Sequence, residues 1–514
     1  MKTLQLYEDP SRELLGRYIT PITPGAVRMT DRQFLEREIK TWLASPERRW
    51  QIDGERYYDG EHDILKRKRM VIGENGELTE VKNLPNNRLV DNQYAKMLDQ
   101  KANYLCGKAI TFDTKSEAYG KALAVFFGKK RQRMVKRLAE YALMGGKTWL
   151  FPYYTANGEL EFALFRAHEI LPFWADNEHT VLDCAVHLFP IWEYDENGNA
   201  KIIQKVEVMH GGGIDRFVWK NGTLTPDADA PSGTYLTSTD SNGSTVHLNW
   251  DRFPLICFKY NNREIPLLQR VKGLQDALNT IISDFTNNME EDVHNTILVL
   301  RNYDGENLGT FRRNLATYGA VKVRTVDGAE GGVDKLTIEV NAENYKVIED
   351  AIKAAIIENA RGYDAKSDKL GNSPNEMNIQ SMYSDIDLDA DGMETEFQAA
   401  FEELLWFVCI HLKNAGIGDF INEDASVIFN RDVLINETGA IDNCSKSQGI
   451  ISRETIVKQH PWVDDPEKEL ARIAAERKRE AEETDAYRAA FVNKEDAENG
   501  NPDAPGEEDG SVNE

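Results

Sequence analysis

Two short runs carry residue types that could do chemistry. Gly146-Lys147-Thr148 has the ending of a phosphate-binding loop, in which a lysine meets phosphate and a hydroxyl meets its magnesium. That loop needs an earlier glycine, and Tyr141 occupies its place. It also needs a strand before it and a helix after it. Here a helical pattern precedes and a strand pattern follows, so the tripeptide reads as a glycine turn. Asp387-Leu388-Asp389-Ala390-Asp391-Gly392 matches the opening of an EF-hand calcium loop. The closing bidentate glutamate is replaced by Gln398, and Glu394 stands where an apolar residue is usual. The expectation is a solvated acidic stretch of a long helix.

Other reactive types are scattered. The nine histidines form neither HxxxH nor HExxH. Cys409 and His411 lie two apart on a helical pattern, so they face different directions and read as core. There is no G-x-S-x-G and no nucleophile–base arrangement. The five cysteines, Cys106, Cys184, Cys257, Cys409 and Cys444, form no CxxC pair. That argues against a disulfide framework or a structural zinc site. No metal, no cofactor and no catalytic residue is expected. The run 66-KRKR-69 could touch nucleic acid, but a solvated face explains it more simply.

The elements that would position such groups follow from patterning. At 514 residues the chain has room for about two to four domains. No apolar run reaches the roughly 18–20 residues of a membrane span. The opening MKTLQLYEDPSRELLGRY lacks the apolar block of a signal peptide, so a cytoplasmic origin is expected. The formal net charge is −25, and Asp464 to Glu514 holds 17 acidic and 7 basic residues, or −10. Tight phosphate binding needs clustered cations, so the composition does not suggest a DNA gripper.

Residues 1–30 read as an irregular arm. Helical patterns are expected at 31–46, stopped by Pro46, at 86–107, and from about Ser116 to Met144. An aromatic-rich β region follows, with hairpin signals at Asn157-Gly158, Asn197-Gly198 and Asn221-Gly222. Residues 225–245 read as an exposed loop and 253–260 as a strand. A rod helix over 264–292 carries the seam Leu267, Val271, Leu274, Leu278, Ile281, Phe285. A β-α-β-β insert over 297–340 is followed by a second rod, about Ala342 to Arg361, with Ile348, Ile352 and Ile356. The polar stretch 361-RGYDAKSDKLGNSPNE-376 separates it from a helix reaching Leu412. A strand at 427–437, a short helix near Ser452 and a charged helix at 465–483 follow. From about Thr484 the acidic, Gly/Pro-punctuated chain reads as disordered.

This order of parts, carried by 273-GLQDALNTIISDFTNNMEEDVHNTILVLRNYDGENLGTF-311, 361-RGYDAKSDKLGNSPNE-376, 393-METEFQAAFEELL-405 and 449-GIISRETIVKQHPWVDDPEKELARI-473, resembles the portal proteins of tailed bacteriophages, in particular the SPP1-type portals of long non-contractile-tailed phages. The resemblance implies a mixed α+β portal fold. Residues 1–263 would be the wing, 264–292 and 342–362 the two stem helices, and 293–341 the clip. Residues 363–375 would be the tunnel loop, 376–437 a long helix and return to the wing, 438–485 the crown, and 486–514 a disordered acidic tail.

The resemblance further implies a homo-oligomeric ring, twelve copies in a virion or thirteen when assembled alone, at one capsid vertex. Double-stranded DNA would pass through it regardless of sequence. Asp364, Lys366, Asp368, Lys369 and Asn372 would face that DNA, with Gly362, Gly371 and Pro374 as hinges. Val271, Leu274, Leu278, Ile281, Phe285, Ile348, Ile352 and Ile356 would pack the stems of neighbouring subunits. Arg312 and Arg313 would dock partners on the clip. The implied partners are the terminase large subunit, a head-completion adaptor, and the major capsid and scaffolding proteins, with no membrane. The implied location is the virion, with assembly in the host cytoplasm. A competing reading is a nucleotide-dependent DNA translocase using Gly146-Lys147-Thr148; the missing glycine and the reversed element order count against it.

Overall fold

The computed structural model describes residues 31–72, 76–81, 84–194, 198–239, 242, 244–294, 297–301, 332–336, 342–364, 376–431, 437–463 and 466–498. The expected arm at 1–30 lies outside these residues. Two units are distinguished: one of residues 1–365 and 382–432, the other of residues 366–381 and 433–514.

The first unit opens with α1 (Asp31–Leu43) and α2 (Pro46–Tyr58). Pro46 does stop α1, but it also starts α2. A proline in the first turn gives up only an N–H that would have no partner there. The Ser45 hydroxyl then caps α2 by accepting from the Arg48 N–H at 3.2 Å. Strands β1 (Met70–Ile72) and β2 (Leu78–Glu80) form a hairpin. Helix α3 runs Gln93–Cys106, so it starts later than the expected Asn86. Asn92 is its cap, Oδ1 accepting from the Ala95 N–H at 2.9 Å.

Strand β3 (Thr111–Thr114) leads to α4 (Glu117–Phe126) and α5 (Lys129–Gly145). One helix was expected here. The break has a packing cause: Phe127 turns inward, fully buried, against the rings of Phe112 and Phe401. Helix α5 ends on Gly146 at φ +79°, where a Cβ would strike the Glu264 carbonyl oxygen.

Strands β4 (Lys147–Tyr154) and β5 (Leu160–Arg166) turn at Asn157-Gly158. The next four strands are β6 (Ile170–Trp174), β7 (Leu182–Tyr194), β8 (Ala200–His210) and β9 (Gly213–Lys220). With β10 (Thr223–Pro226) they form an antiparallel sheet in the order β10-β9-β8-β7-β6. Asn221 and Gly222, at φ +53° and +81°, make the tight β9–β10 turn. The stretch read as a loop holds strand β11 (Leu236–Thr239), which pairs antiparallel with β12 (Thr245–Leu248). Strand β13 (Ile256–Lys259) completes a three-stranded sheet, β13-β4-β5. The alternating inward residues of the large sheet, Phe173, Val186, Val206 and Val208, pack against Phe34, Leu35, Ile39 and Trp42 of α1.

The rods are α6 (Leu268–His294) and α7 (Ala342–Asn359). Between them β14 (Ile297–Arg301) pairs antiparallel with β15 (Gly332–Leu336). The helix and strand expected at 306–325, with Arg312 and Arg313, lie outside the described residues. Helix α8 spans Glu376–Asn414. Its Phe397 and Phe401 interlock edge-to-face with Phe258 and Phe429, which gathers sheet and helix into one aromatic core. Strand β16 (Ala425–Ile428) pairs with β3. It ends at Ile428, short of the expected 437, and residues 432–436 are not described.

The second unit contains α9 (Glu437–Lys446), which the sequence reading missed, α10 (Arg453–Gln459) and α11 (Pro466–Glu498). Ser452 caps α10 by accepting from the Thr455 N–H at 3.2 Å. Helix α11 continues to Glu498, past the point near Thr484 where disorder was expected. Lys478 and Glu482, spaced i,i+4, are placed to support its exposed face.

Candidate functional site

The polar stretch after α7 is the first place to look for function. Of its predicted site residues, Lys366, Asp368, Lys369, Gly371, Asn372 and Pro374 lie outside the described residues. Gly362 and Asp364 are described, and Gly362 belongs to a firmly built base.

Helix α7 ends in a Schellman motif. The Gly362 N–H donates to the Ile357 carbonyl at 2.9 Å and the Arg361 N–H to the Glu358 carbonyl at 3.0 Å. The left-handed position is taken by Arg361, at φ +53°. Gly362, expected as a hinge, does not itself hold the left-handed position. It is buried, and a Cβ there would lie 2.6 Å from Met97 Sδ and 2.8 Å from Gln100 Oε1. Close packing on α3 reserves the position for glycine, and the strained conformation falls on the arginine before it.

Gln100 then grips the next residue by its backbone. Its Nε2 donates to the Tyr363 carbonyl at 2.8 Å and its Oε1 accepts the Tyr363 N–H at 3.0 Å. The Tyr363 ring lies 4.6 Å from that of Tyr383 on α8.

Beneath this grip sits Asp389. Lys101 Nζ donates to it at 2.8 Å and also to the Arg361 carbonyl at 3.0 Å. The Tyr260 hydroxyl donates at 2.5 Å and Arg270 at 2.8 Å. Burial alone would raise the Asp389 carboxyl; Lys101, Tyr260 and Arg270 outweigh it and hold it below its ordinary value. Burial lowers the Lys101 ammonium to about 8, against the pull of Asp389.

The candidate calcium run is solvated only in part: Leu388 and Asp391 are exposed, Asp387 is half-buried and Asp389 is buried. It lies inside continuous α8, and all three aspartates hold cations. Asp389 meets Lys101 and Arg270; Asp387 and Asp391, with Glu394, surround Arg431. These three carboxylates fall at i, i+4 and i+7 on one helix face.

The candidate phosphate loop is also spent internally. Lys147 opens a strand, is almost fully buried, and donates to Glu264 while lying 3.2 Å from Glu47. Nor is 66-KRKR-69 merely solvated. Arg67 pairs with Asp284 of α6 at 2.5 Å, and Arg69 donates to the Pro85 carbonyl at 3.1 Å.

The rod seams divide. Val271, Leu278 and Ile356 are fully buried within the single chain. Leu274, Ile281, Phe285 and Ile352 are half-buried and Ile348 is exposed. Phe285 meets Tyr345 of α7 at 4.8 Å between ring centres. The sequence reading missed the other buried face of α6. Gln275, Asn279, Ser283 and Asn287 form a polar stripe, each fully buried. Its signal was the i,i+4 repeat of four amide or hydroxyl side chains.

The match to known proteins spans nearly all of this architecture. Residues 44–483 match the family model described as phage portal protein, SPP1 Gp6-like. The chain belongs to the SPP1 Gp6-like family of phage portal proteins. It is 26% identical over 435 residues to the portal protein of Bacillus phage SPP1, covering 84% of each chain. It is 25% identical over 431 residues to the portal protein of Clostridium phage phiCD119, covering 81% of this chain and 90% of the relative. Two solved structures overlap the fold loosely. The neck of an empty gene transfer agent particle gives a TM-score of 0.39 at 11% identity, covering 71% of this chain and 88% of the other. The virion of a native gene transfer agent particle gives 0.36 at 12%, covering 70% and 87%. Within this portal family member, no helix among the described residues is long and apolar enough to cross a membrane.

Proposed function

We propose that this chain is the subunit of a ring-shaped channel at one capsid vertex, through which double-stranded DNA enters and leaves. Membership of the portal family over residues 44–483 carries the reading. On this reading, twelve copies close the ring in the virion. Residues 363–375 of each copy face the axis, where Lys366 and Lys369 touch phosphates transiently and Asp364 and Asp368 keep the net attraction small. A wall with few cations lets DNA slide, because phosphate contacts accumulate into tight binding. The loop base supports this reading: Gln100, Lys101 and Asp389 fix where the polar stretch leaves α7.

The same reading makes the protein a docking platform for the terminase large subunit and a head-completion adaptor, with Arg312 and Arg313 in the clip. On this reading the chain is a structural part of the channel, and the pairing of Lys147 with Glu264 gives the translocase alternative no support. The test is electron microscopy of the purified protein, with end-on views classified by symmetry. Rings of twelve or thirteen with a central hole are expected. Monomers or dimers at every salt and protein concentration would overturn the channel. For the loop, Lys366→Ala with Lys369→Ala should impair packaging or DNA retention; no effect on either would remove the phosphate contacts.

A further inference from the structure

Helix α5 carries 129-KKRQRMVKR-137, six cations and no carboxylate, in a chain whose net charge is −25. Val135, Leu138, Ala139 and Ala142 bury one side of this helix. Lys129, Lys130, Arg133 and Arg137 are exposed on the other. Some of the run has local employment. Arg131 donates to the Phe126 and Leu160 carbonyls, each at 2.8 Å, Lys130 meets Glu161 at 2.5 Å, and Lys136 lies 4.0 Å from Glu140. Among the described residues, Lys129, Arg133 and Arg137 make no ion pair.

Helix stability does not account for these cations. The first turn of α5 holds no acidic residue, and Gly128 at its N-cap supplies no side-chain hydrogen bond. Cations at this end oppose the helix dipole. The face lacks the apolar anchors of a protein–protein interface, although arginine itself is common at such interfaces. The core of such an interface is depleted of charge and anchored by aromatic or aliphatic groups, and the face formed by Lys129, Arg133 and Arg137 offers neither. A phosphate backbone needs only regularly placed cations. Residues i and i+4 are about 6 Å apart along a helix. Successive phosphates of one duplex strand rise about 3.4 Å along the axis while winding around it, and long, flexible lysine and arginine side chains can reach them from such a row.

We propose that the Lys129–Arg133–Arg137 face of α5 is a second, sequence-independent contact for duplex DNA, distinct from the loop at 363–375. The proposal rests on the channel reading only for the presence of DNA beside the protein.

The test uses the assembled full-length protein and relaxed closed-circular duplex DNA, which cannot thread a closed ring. Binding is measured across salt concentrations, and ring size is read in the same samples by mass photometry. Three phosphate contacts per engaged chain predict a log–log salt slope of about −3. Lys129→Gln/Arg133→Gln/Arg137→Gln should weaken binding of the circles at least tenfold at low salt and flatten the slope, with ring size unchanged. The corresponding triple Glu variant should abolish binding. Lys366→Ala/Lys369→Ala should leave it intact. Circles bound equally by wild type and both triple variants would overturn the proposal. So would unchanged binding with a lost ring, which would assign the face to an acidic surface of a neighbouring copy. Failure to form any ring would sink the channel reading alone, since the α5 comparison still reads DNA contact.

Discussion

Asn279 on α6 accepts the backbone N–H of Asp91 at 3.0 Å through Oδ1 and donates to His62 Nδ1 at 2.7 Å through Nδ2. It is one rung of a ladder. Asn287 accepts from the Asn87 N–H at 2.7 Å and Ser283 from the Leu89 N–H at 2.9 Å. Gln275 accepts from the Tyr94 N–H at 3.0 Å and donates to the Asp91 carbonyl at 2.7 Å. Four helical residues rise about 6.0 Å and two extended residues about 6.6 Å, so alternate N–H groups of residues 87–91 meet every fourth side chain of α6. Sliding or turning the helix by one residue would orphan every rung. The segment before α3 is thus a strap that fixes the register of the first rod.

Replacing Asn279 with Leu should unlock that strap. It leaves the Asp91 N–H and His62 Nδ1 buried without a partner, each worth about 1–3 kcal/mol. A total loss of about 2–5 kcal/mol is expected in denaturant unfolding. Hydrogen exchange should show lost protection at Asn87, Leu89 and Asp91, while the amides of β7 and β8 stay protected. Uniform loss across the chain would mean the rungs do not act as a local clamp.

His62 gives the same network a pH dependence. Its Nε2 lies 3.0 Å from the Tyr57 carbonyl, so Nε2 carries the hydrogen and Nδ1 accepts from Asn279. Burial is the largest influence and lowers its pKa below the ordinary 6.5, despite the opposing carbonyl and Asp276. The unfolded chain then binds the proton more readily than the folded one. The contribution of His62 is complete above about pH 6.5 and is lost as pH falls from there toward its depressed folded value. His62→Gln should flatten the stability profile in that window. An unchanged slope would mean that His62 does not titrate differently on folding.

Much of the fold was legible because apolar periodicity and turn glycines act locally. The rods α6 and α7, long helix α8, and the turns at Asn157-Gly158 and Asn221-Gly222 followed from such signals. What failed depended on distant partners. Residues 86–92 contain enough helix-tolerant residues to resemble the start of α3, yet α6 offers their N–H groups better acceptors. Phe127 breaks α4 from α5 because Phe401, far along the chain, receives its ring. The partners of Asp387, Asp389 and Asp391 were not legible because Arg431, Lys101 and Arg270 come from other elements. At the loop, a glycine suggested a hinge. Only the proximity of Met97 and Gln100 shows that Gly362 is a packing glycine.

Gly362→Ala should therefore be costly despite being a one-methyl change. The added carbon would fall inside contact distance of Met97 Sδ and Gln100 Oε1. Overpacking of this kind costs about 1–3 kcal/mol. Arg361→Gly tests the adjacent conformation. It relieves a left-handed non-glycine residue, worth about 1 kcal/mol, and removes only a partly exposed 3.6 Å contact with Asp389. Gly362→Ala should lower the melting temperature while Arg361→Gly leaves it unchanged or higher. The reverse order would mean that contact with Met97 and Gln100 is not what reserves position 362 for glycine.

Asp389 tests whether the loop base acts as a unit. Asp389→Asn removes the charge between Lys101 and Arg270 while keeping the size of the side chain. Leaving Lys101 buried without its counter-charge should cost about 3–5 kcal/mol. Lys101→Met combined with Asp389→Leu should recover part of that loss, because the buried ammonium is then absent and only the more exposed Arg270 is left without its carboxylate. A readout closer to function is limited trypsin digestion, since Lys366 and Lys369 lie just beyond the base. Lys101 also holds the Arg361 carbonyl and Gln100 holds Tyr363, so loosening Asp389 should speed cleavage at both lysines. Leu78→Ala, at an exposed position on β2, serves as the control and should leave cleavage unchanged. If Asp389→Asn destabilises the protein while cleavage proceeds at the wild-type rate, the cluster stabilises the fold without governing the loop. Gln100 and Gly362 would then be the residues that set the loop's departure from α7.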